Sequence, residues 1–243
     1  MKKLGTVIRY ECVTSIKYLC IFYLALAAVV SILYGIHYFL TNDLSGGMNC
    51  LEMNTMIFLG ILGILQLHED FRMLMQNGFT RSYFFLGTIS LFAFISCMMS
   101  LVDTIAANVL RSLTGGSYST FFGSLYGYGH PAVLSWLWLF LIYMLVCSLT
   151  FFFSLAASNL SKKMALFAGV ILAASLFGGI SLLFGSSALE SQKDRLIMLA
   201  VKSFGFMEDG TIRLIYPFML LTVFAGILVV FSWLIMRRTE LKV

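Results

Sequence analysis

The side chains able to do chemistry in this sequence are few and scattered. His37, His68 and His130 are far apart, so no two stand one helical turn apart beside a glutamate, as a zinc protease requires. Ser117, in Gly115-Gly116-Ser117, has only the distant His130 as a general base for nucleophilic attack. Cys12, Cys20, Cys50, Cys97 and Cys147 lack metal-ligand spacing and mostly occupy apolar runs, where they read as small buried hydrophobes. No Gly-x-x-x-x-Gly-Lys-Ser/Thr run is present to cradle phosphates. Asp103 is the only aspartate inside an expected span, which excludes an intramembrane aspartyl pair. The chain by itself is therefore expected not to be an enzyme, with no catalytic residue, no metal site and no cofactor of its own.

The polar residues that do fall inside apolar runs are Glu52, Asn54, Asp103 and Asn108. A charge at mid-membrane costs roughly 2.5–3.5 kcal/mol on insertion scales, so it faces protein, water or headgroups. Two readings stand beside each other: a polar vestibule on a substrate path, or hydrogen bonding between helices and contact with headgroups.

The elements that must position these residues are legible from composition. Of 243 residues, 60% are hydrophobic and 11% charged. A soluble domain is nearer half apolar and a quarter charged, so this chain is built to meet lipid. The expected fold is an all-α membrane protein, one domain over 1–243, with six transmembrane helices at about 18–40, 48–67, 83–110, 133–157, 164–184 and 212–236. Each provides about the 20 residues needed to cross a ~30 Å hydrocarbon layer. The apolar run after residue 17 is longer than a secretory signal's core and is expected to remain as a span. Strand-like alternation with regular turns is absent, which argues against a transmembrane barrel.

Residues 1–17 carry apolar Leu4, Val7, Ile8, Cys12 and Ile16 among Lys2, Lys3, Arg9 and Lys17, the spacing of an interfacial amphipathic helix. With the N-terminus inside, eleven of the sixteen Lys and Arg fall on the inner side, and six spans leave both termini cytoplasmic. The net charge of +5 then reflects topology and contact with membrane lipid, with no basic patch for nucleic acid. Tyr34, Tyr38, Trp136, Trp138 and Trp233 are expected at headgroup level. Gly60 with Gly63 is expected to mark close helix packing. Leu196 to Val201 is too short to span and is expected to dip into the outer interface.

The connection between the second and third spans holds the densest local signal. Glu69 and Asp70 suit a helix start, and Phe71, Leu74 and Met75 at i, i+3 and i+4 make one apolar edge beside Arg72. Asn77-Gly78 is a helix stop, and Thr80 can cap the helix that begins near Arg81. The pattern predicts a short exposed helix between two bends, fit either for docking or for simple solvation.

Residues 69–81 resemble the loop between the second and third spans of type-2 ATP-binding-cassette (ABC) export permeases, in the form found in small bacterial members: an acidic start, an apolar turn, then Asn-Gly-x-Thr-Arg. The likeness extends to the architecture of the whole chain. The acidic and basic residues at 190–209 depart from that family's more apolar outer segment. The resemblance implies a permease subunit in a bacterial cell membrane that exports a hydrophobic or amphipathic substrate: a peptide, an antimicrobial or a lipid. It implies pairing with a second permease chain and a separate cytoplasmic ATPase that binds ATP and Mg. Glu69, Asp70, Phe71, Arg72, Leu74, Met75, Asn77, Gly78, Thr80 and Arg81 would then form the ATPase-coupling site. The rival expectations are a stand-alone carrier or channel, and a membrane-embedded immunity or assembly factor.

Overall fold

The computed structural model describes residues 2–42, 50–76, 78–159, 190–207 and 209–238. Among these, every named element is a helix: α1 (Lys2–Thr41), α2 (Glu52–Gln76), α3 (Arg81–Leu113), α4 (Phe121–Tyr126), α5 (Ala132–Asn159), α6 (Glu190–Ser203) and α7 (Ile215–Arg238). Four helical stretches are long and apolar enough to cross a membrane: Glu11–Thr41, Arg81–Leu113, Ala132–Ser158 and Ile215–Arg237. A fifth apolar stretch, Glu52–Leu67, is shorter. These correspond to five of the six expected spans; the expected span at 164–184 lies outside the described residues. The molecule is a multi-pass membrane protein by the length and composition of its helices.

Two boundaries differ from expectation. Residues 2–41 form one unbroken helix, so the expected interfacial helix at 1–17 is continuous with the first span. Helix α2 likewise runs without a break through residue 70 to Gln76. Its buried stripe explains why: Glu52, Thr55, Leu59, Gly63 and Gln66 recur every three or four residues, and Phe71 and Leu74 continue the same face. Glu69 and Asp70, expected at a helix start, thus fall inside a helix that is already under way and still packed along this stripe.

The chain divides into Met1–Phe151 and Phe152–Val243. Within the first unit α3 is central. Its buried residues Phe84, Thr88, Leu91, Ile95, Met99, Asp103 and Ala107 keep helical periodicity over six turns. Helix α5 answers with Leu139, Tyr143, Cys147 and Phe151, and Phe151 packs edge-on against Phe92 at 5.6 Å. Phe22 of α1 stacks on Phe58 of α2 at 4.3 Å. At Gly63 a Cβ would lie 2.9 Å from the Cys147 carbonyl, so α2 and α5 approach too closely there for any side chain. Gly60 faces only ordinary contacts.

The link from α3 to α5 folds back on the bundle through α4. Trp138 is 2% exposed, packed against Phe121, Phe122 and Tyr126, and so belongs to the core of this unit. In the second unit, α6 ends at Ser203, and two residues on, at Gly205, φ is +89° and the Arg213 carbonyl would crowd any Cβ at 2.6 Å. An antiparallel bridge from Phe206 to Ile212 closes the turn into α7. Leu196, Ile197, Met198, Leu199 and Val201 of α6 are exposed.

Candidate functional site

Asp103 lies on the buried face of α3, 6% exposed, where an unpartnered carboxyl would be costly. Two phenols meet it. Tyr23 of α1 donates to Oδ1 at 2.9 Å, with the Met99 carbonyl 3.1 Å from the same hydroxyl. Tyr143 of α5 donates to Oδ2 at 2.5 Å. One carboxyl therefore ties three helices together, and hydrogen bonding between helices is part of its role.

Glu52 opens α2 and is 1% exposed. Its Oε1 accepts from the Phe121 amide at 3.3 Å, at the first residue of α4. Thr120 satisfies the next free amide there, taking the Gly123 N–H at 2.9 Å. Glu52 Oε2 is buried and finds no hydrogen-bond partner among the described residues. The same corner is pinned by the Leu51 amide donating to the Tyr118 hydroxyl at 3.1 Å and the Cys50 amide donating to the Ser119 carbonyl at 3.0 Å. Burial, and secondarily the charge of Glu52, pushes the Tyr118 phenol well above its ordinary value. Burial also raises Tyr126 in α4.

Two cavities of about 230 Å³ adjoin Glu52, and Ala107 is their other shared wall. One is polar, with Asn108, Arg111, Thr120, His130 and Ser135 in its lining. Arg111 there lies over the Tyr128 ring, its Cζ 3.3 Å from the centroid, and His130 packs edge-on against Phe122 at 5.9 Å. The other lies between α1 and α3, lined by Leu26, Val30, Leu51 and Leu110 with Tyr23, Glu52 and Asp103.

The structure thus brings together three of the four polar residues singled out in the sequence. Glu52 and Asp103 face the apolar cavity, and Glu52 and Asn108 the polar one. Asn54 is half-buried and lines neither. Asn108 bonds back to the Thr104 carbonyl at 2.9 Å. Ser117 is exposed at its glycine turn and is not in the wall that holds His130. Of the cysteines, Cys147 is buried as expected of a small hydrophobe, while Cys20 is exposed.

The 69–81 connection ends in a Schellman motif. The Gly78 amide bonds the Met75 carbonyl and the Phe79 amide the Leu74 carbonyl, both at 3.1 Å, with Gly78 at φ +75°. Thr80 stands at the N-cap of α3 in extended conformation, but its hydroxyl makes no capping bond. Phe71 and Leu74 are buried, with Phe71 edge-on to Phe84 at 5.1 Å; Gly78 and Thr80 are exposed, and Met75 and Arg81 partly so. The side chains of Glu69, Asp70 and Arg72, and the whole of Asn77, lie outside the described residues.

No known family, curated protein or solved structure matches this chain.

The geometry therefore speaks through its own chemistry. Tyr23, Tyr118 and Tyr143 were not evident from local sequence, because their partners lie 40 to 80 residues away. One signal was available: Tyr23 and Tyr143 sit well inside their apolar runs, where a phenol must find a partner within the protein. Arg111 and His130 give no sequence sign of sharing a cavity, because each follows or precedes an apolar run in the manner of a boundary residue.

Proposed function

We propose that this chain is the membrane-spanning permease subunit of an ATP-driven exporter of the type-2 ABC class. It sits in a bacterial cell membrane and moves a hydrophobic or amphipathic substrate outward. A second permease chain, alike or different, completes the pathway. A separate cytoplasmic ATPase binds ATP and Mg and supplies the force.

The observation that carries this reading is the turn joining α2 to α3. The Asn-Gly stop and the Thr-Arg restart of the 69–81 segment coincide with a tight Schellman turn between two long helices, the acidic pair precedes it within α2, and Gly78 and Thr80 are exposed at its tip. Contact with the ATPase would fall on Met75, Gly78, Thr80 and Arg81, together with Glu69, Asp70, Arg72 and Asn77. Phe71 and Leu74, turned inward, would instead pass the push to α3 through Phe84. Exposed residues on a tight turn receive force well because the turn cannot absorb it by bending.

The test is gentle solubilisation from the native membrane followed by affinity capture of the tagged chain. An ABC ATPase should co-purify, and combined Glu69→Lys, Asp70→Lys and Arg81→Glu should release it and stop export. Capture without any ATPase, or intact assembly and export in the charge-reversed chain, overturns the reading. A stand-alone carrier is the second reading, favoured by the buried carboxyls of Asp103 and Glu52, since ion-coupled carriers keep such groups inside the membrane. Export that survives ATP depletion but collapses with a protonophore would select it.

A further inference from the structure

The cavity between α1 and α3 has a composition that its structural role leaves unexplained. Its walls are mostly aliphatic, yet two acidic residues, Glu52 and Asp103, line it, and no Lys, Arg or His is among its described lining residues. Both carboxyls are more than nine-tenths buried. Each Asp103 oxygen receives a phenol, but neither phenol carries a positive charge. Glu52 Oε2 receives no hydrogen bond from the described residues. Burying ionised acidic groups in an apolar wall is unfavourable by several kcal/mol per ion, at order of magnitude, unless they take up protons or something cationic completes the site.

We infer that this cavity binds an amphipathic amine, with its ammonium group beside Glu52 and Asp103 and its apolar body against Leu26, Val30 and Leu110. An ammonium has three donors and no acceptor, which matches a set of carboxylate oxygens with vacant lone pairs. The size agrees: an apolar cavity of about 150 Å³ holds benzene, so about 230 Å³ accepts a ring or a medium alkyl chain with its head group. The rim includes exposed Ser31 and Val109, so a ligand already dissolved among lipid chains can enter sideways. Binding by the isolated chain needs no ATPase; that such an amine is the exported cargo rests on the exporter reading.

The test uses the full chain in nanodiscs of phosphatidylglycerol, with octylammonium as probe and empty discs to subtract partitioning into lipid. Octylammonium should bind saturably, and octanol of equal chain length should neither bind saturably nor compete. Glu52→Gln, which keeps the shape and the acceptor for Phe121, should weaken binding at least about tenfold. Val30→Phe, which fills the apolar end, should abolish it, while Ser135→Phe in the neighbouring polar cavity should not. Thermal unfolding of each variant shows whether it is folded. Unchanged affinity in a folded Glu52→Gln chain, equal binding of octanol, or loss in Ser135→Phe but not in Val30→Phe overturns the inference. Displacement by added phosphatidylethanolamine also overturns it, by making the site a lipid headgroup site. Failure to capture an ATPase would leave all these outcomes as they are, so the two proposals fail separately.

Discussion

Asp103 is held by hydroxyls from α1 and α5, and the consequence is measurable one atom at a time. Tyr143→Phe removes the donor to Oδ2 and leaves that buried oxygen unpaired, a loss of about 1–3 kcal/mol. The purified variant should unfold at a lower temperature than its parent; equal stability would mean the bond carries little. Tyr23→Phe should cost less, because the Tyr23 hydroxyl is only partly buried and divides its proton between Asp103 and Met99. Combining the two should not be additive, since both act on one carboxyl. Asp103→Leu should exceed either single change, because it strands two phenols at once.

Helix packing sets its own limits. At Gly63, α2 meets the Cys147 carbonyl and the Thr150 side chain of α5 with no room for a methyl group. Gly63→Ala should destabilise by about 1–3 kcal/mol, as overpacking does, and be read as a fall in unfolding temperature. Adding Thr150→Ala should restore only part of the loss, because the carbonyl still lies 2.9 Å from the new Cβ. Gly78 poses a different constraint. Its φ of +75° costs an L-residue roughly 1–2 kcal/mol, so Gly78→Val should loosen the α2–α3 turn. If that turn receives force, export should fall more steeply than the quantity of folded protein; proportional losses would confine Gly78 to a structural role.

At the scale of the whole molecule, the arrangement of spans yields a direct prediction. With the five cysteines replaced, single cysteines at Thr80 and Ser117 should react with an impermeant thiol reagent from opposite sides of the membrane, because α3 separates them. If the expected positive-inside topology holds, the cysteine at Thr80 should be the one labelled from the cytoplasmic face. Labelling of both from one side would mean that α3 does not cross.

Several features followed from local sequence because their physics is local. Long apolar runs declare helices that lipid will accept, since a span must satisfy its backbone within itself, and α3, α5 and α7 lie close to where hydropathy puts them. The Asn-Gly stop was legible for the same reason: a left-handed residue ends a helix regardless of what surrounds it. The start of α1 and the continuation of α2 past residue 70 were not, because whether a helix goes on through polar residues depends on packing such as that of Phe71 on Phe84, which local sequence does not show. Nor could the sequence alone place Trp138 in the core, couple Asp103 to Tyr23 and Tyr143, or set Glu52 between two cavities. Those facts depend on pairings across 40 to 80 residues, and only the way the helices cross brings such distant side chains within hydrogen-bond reach.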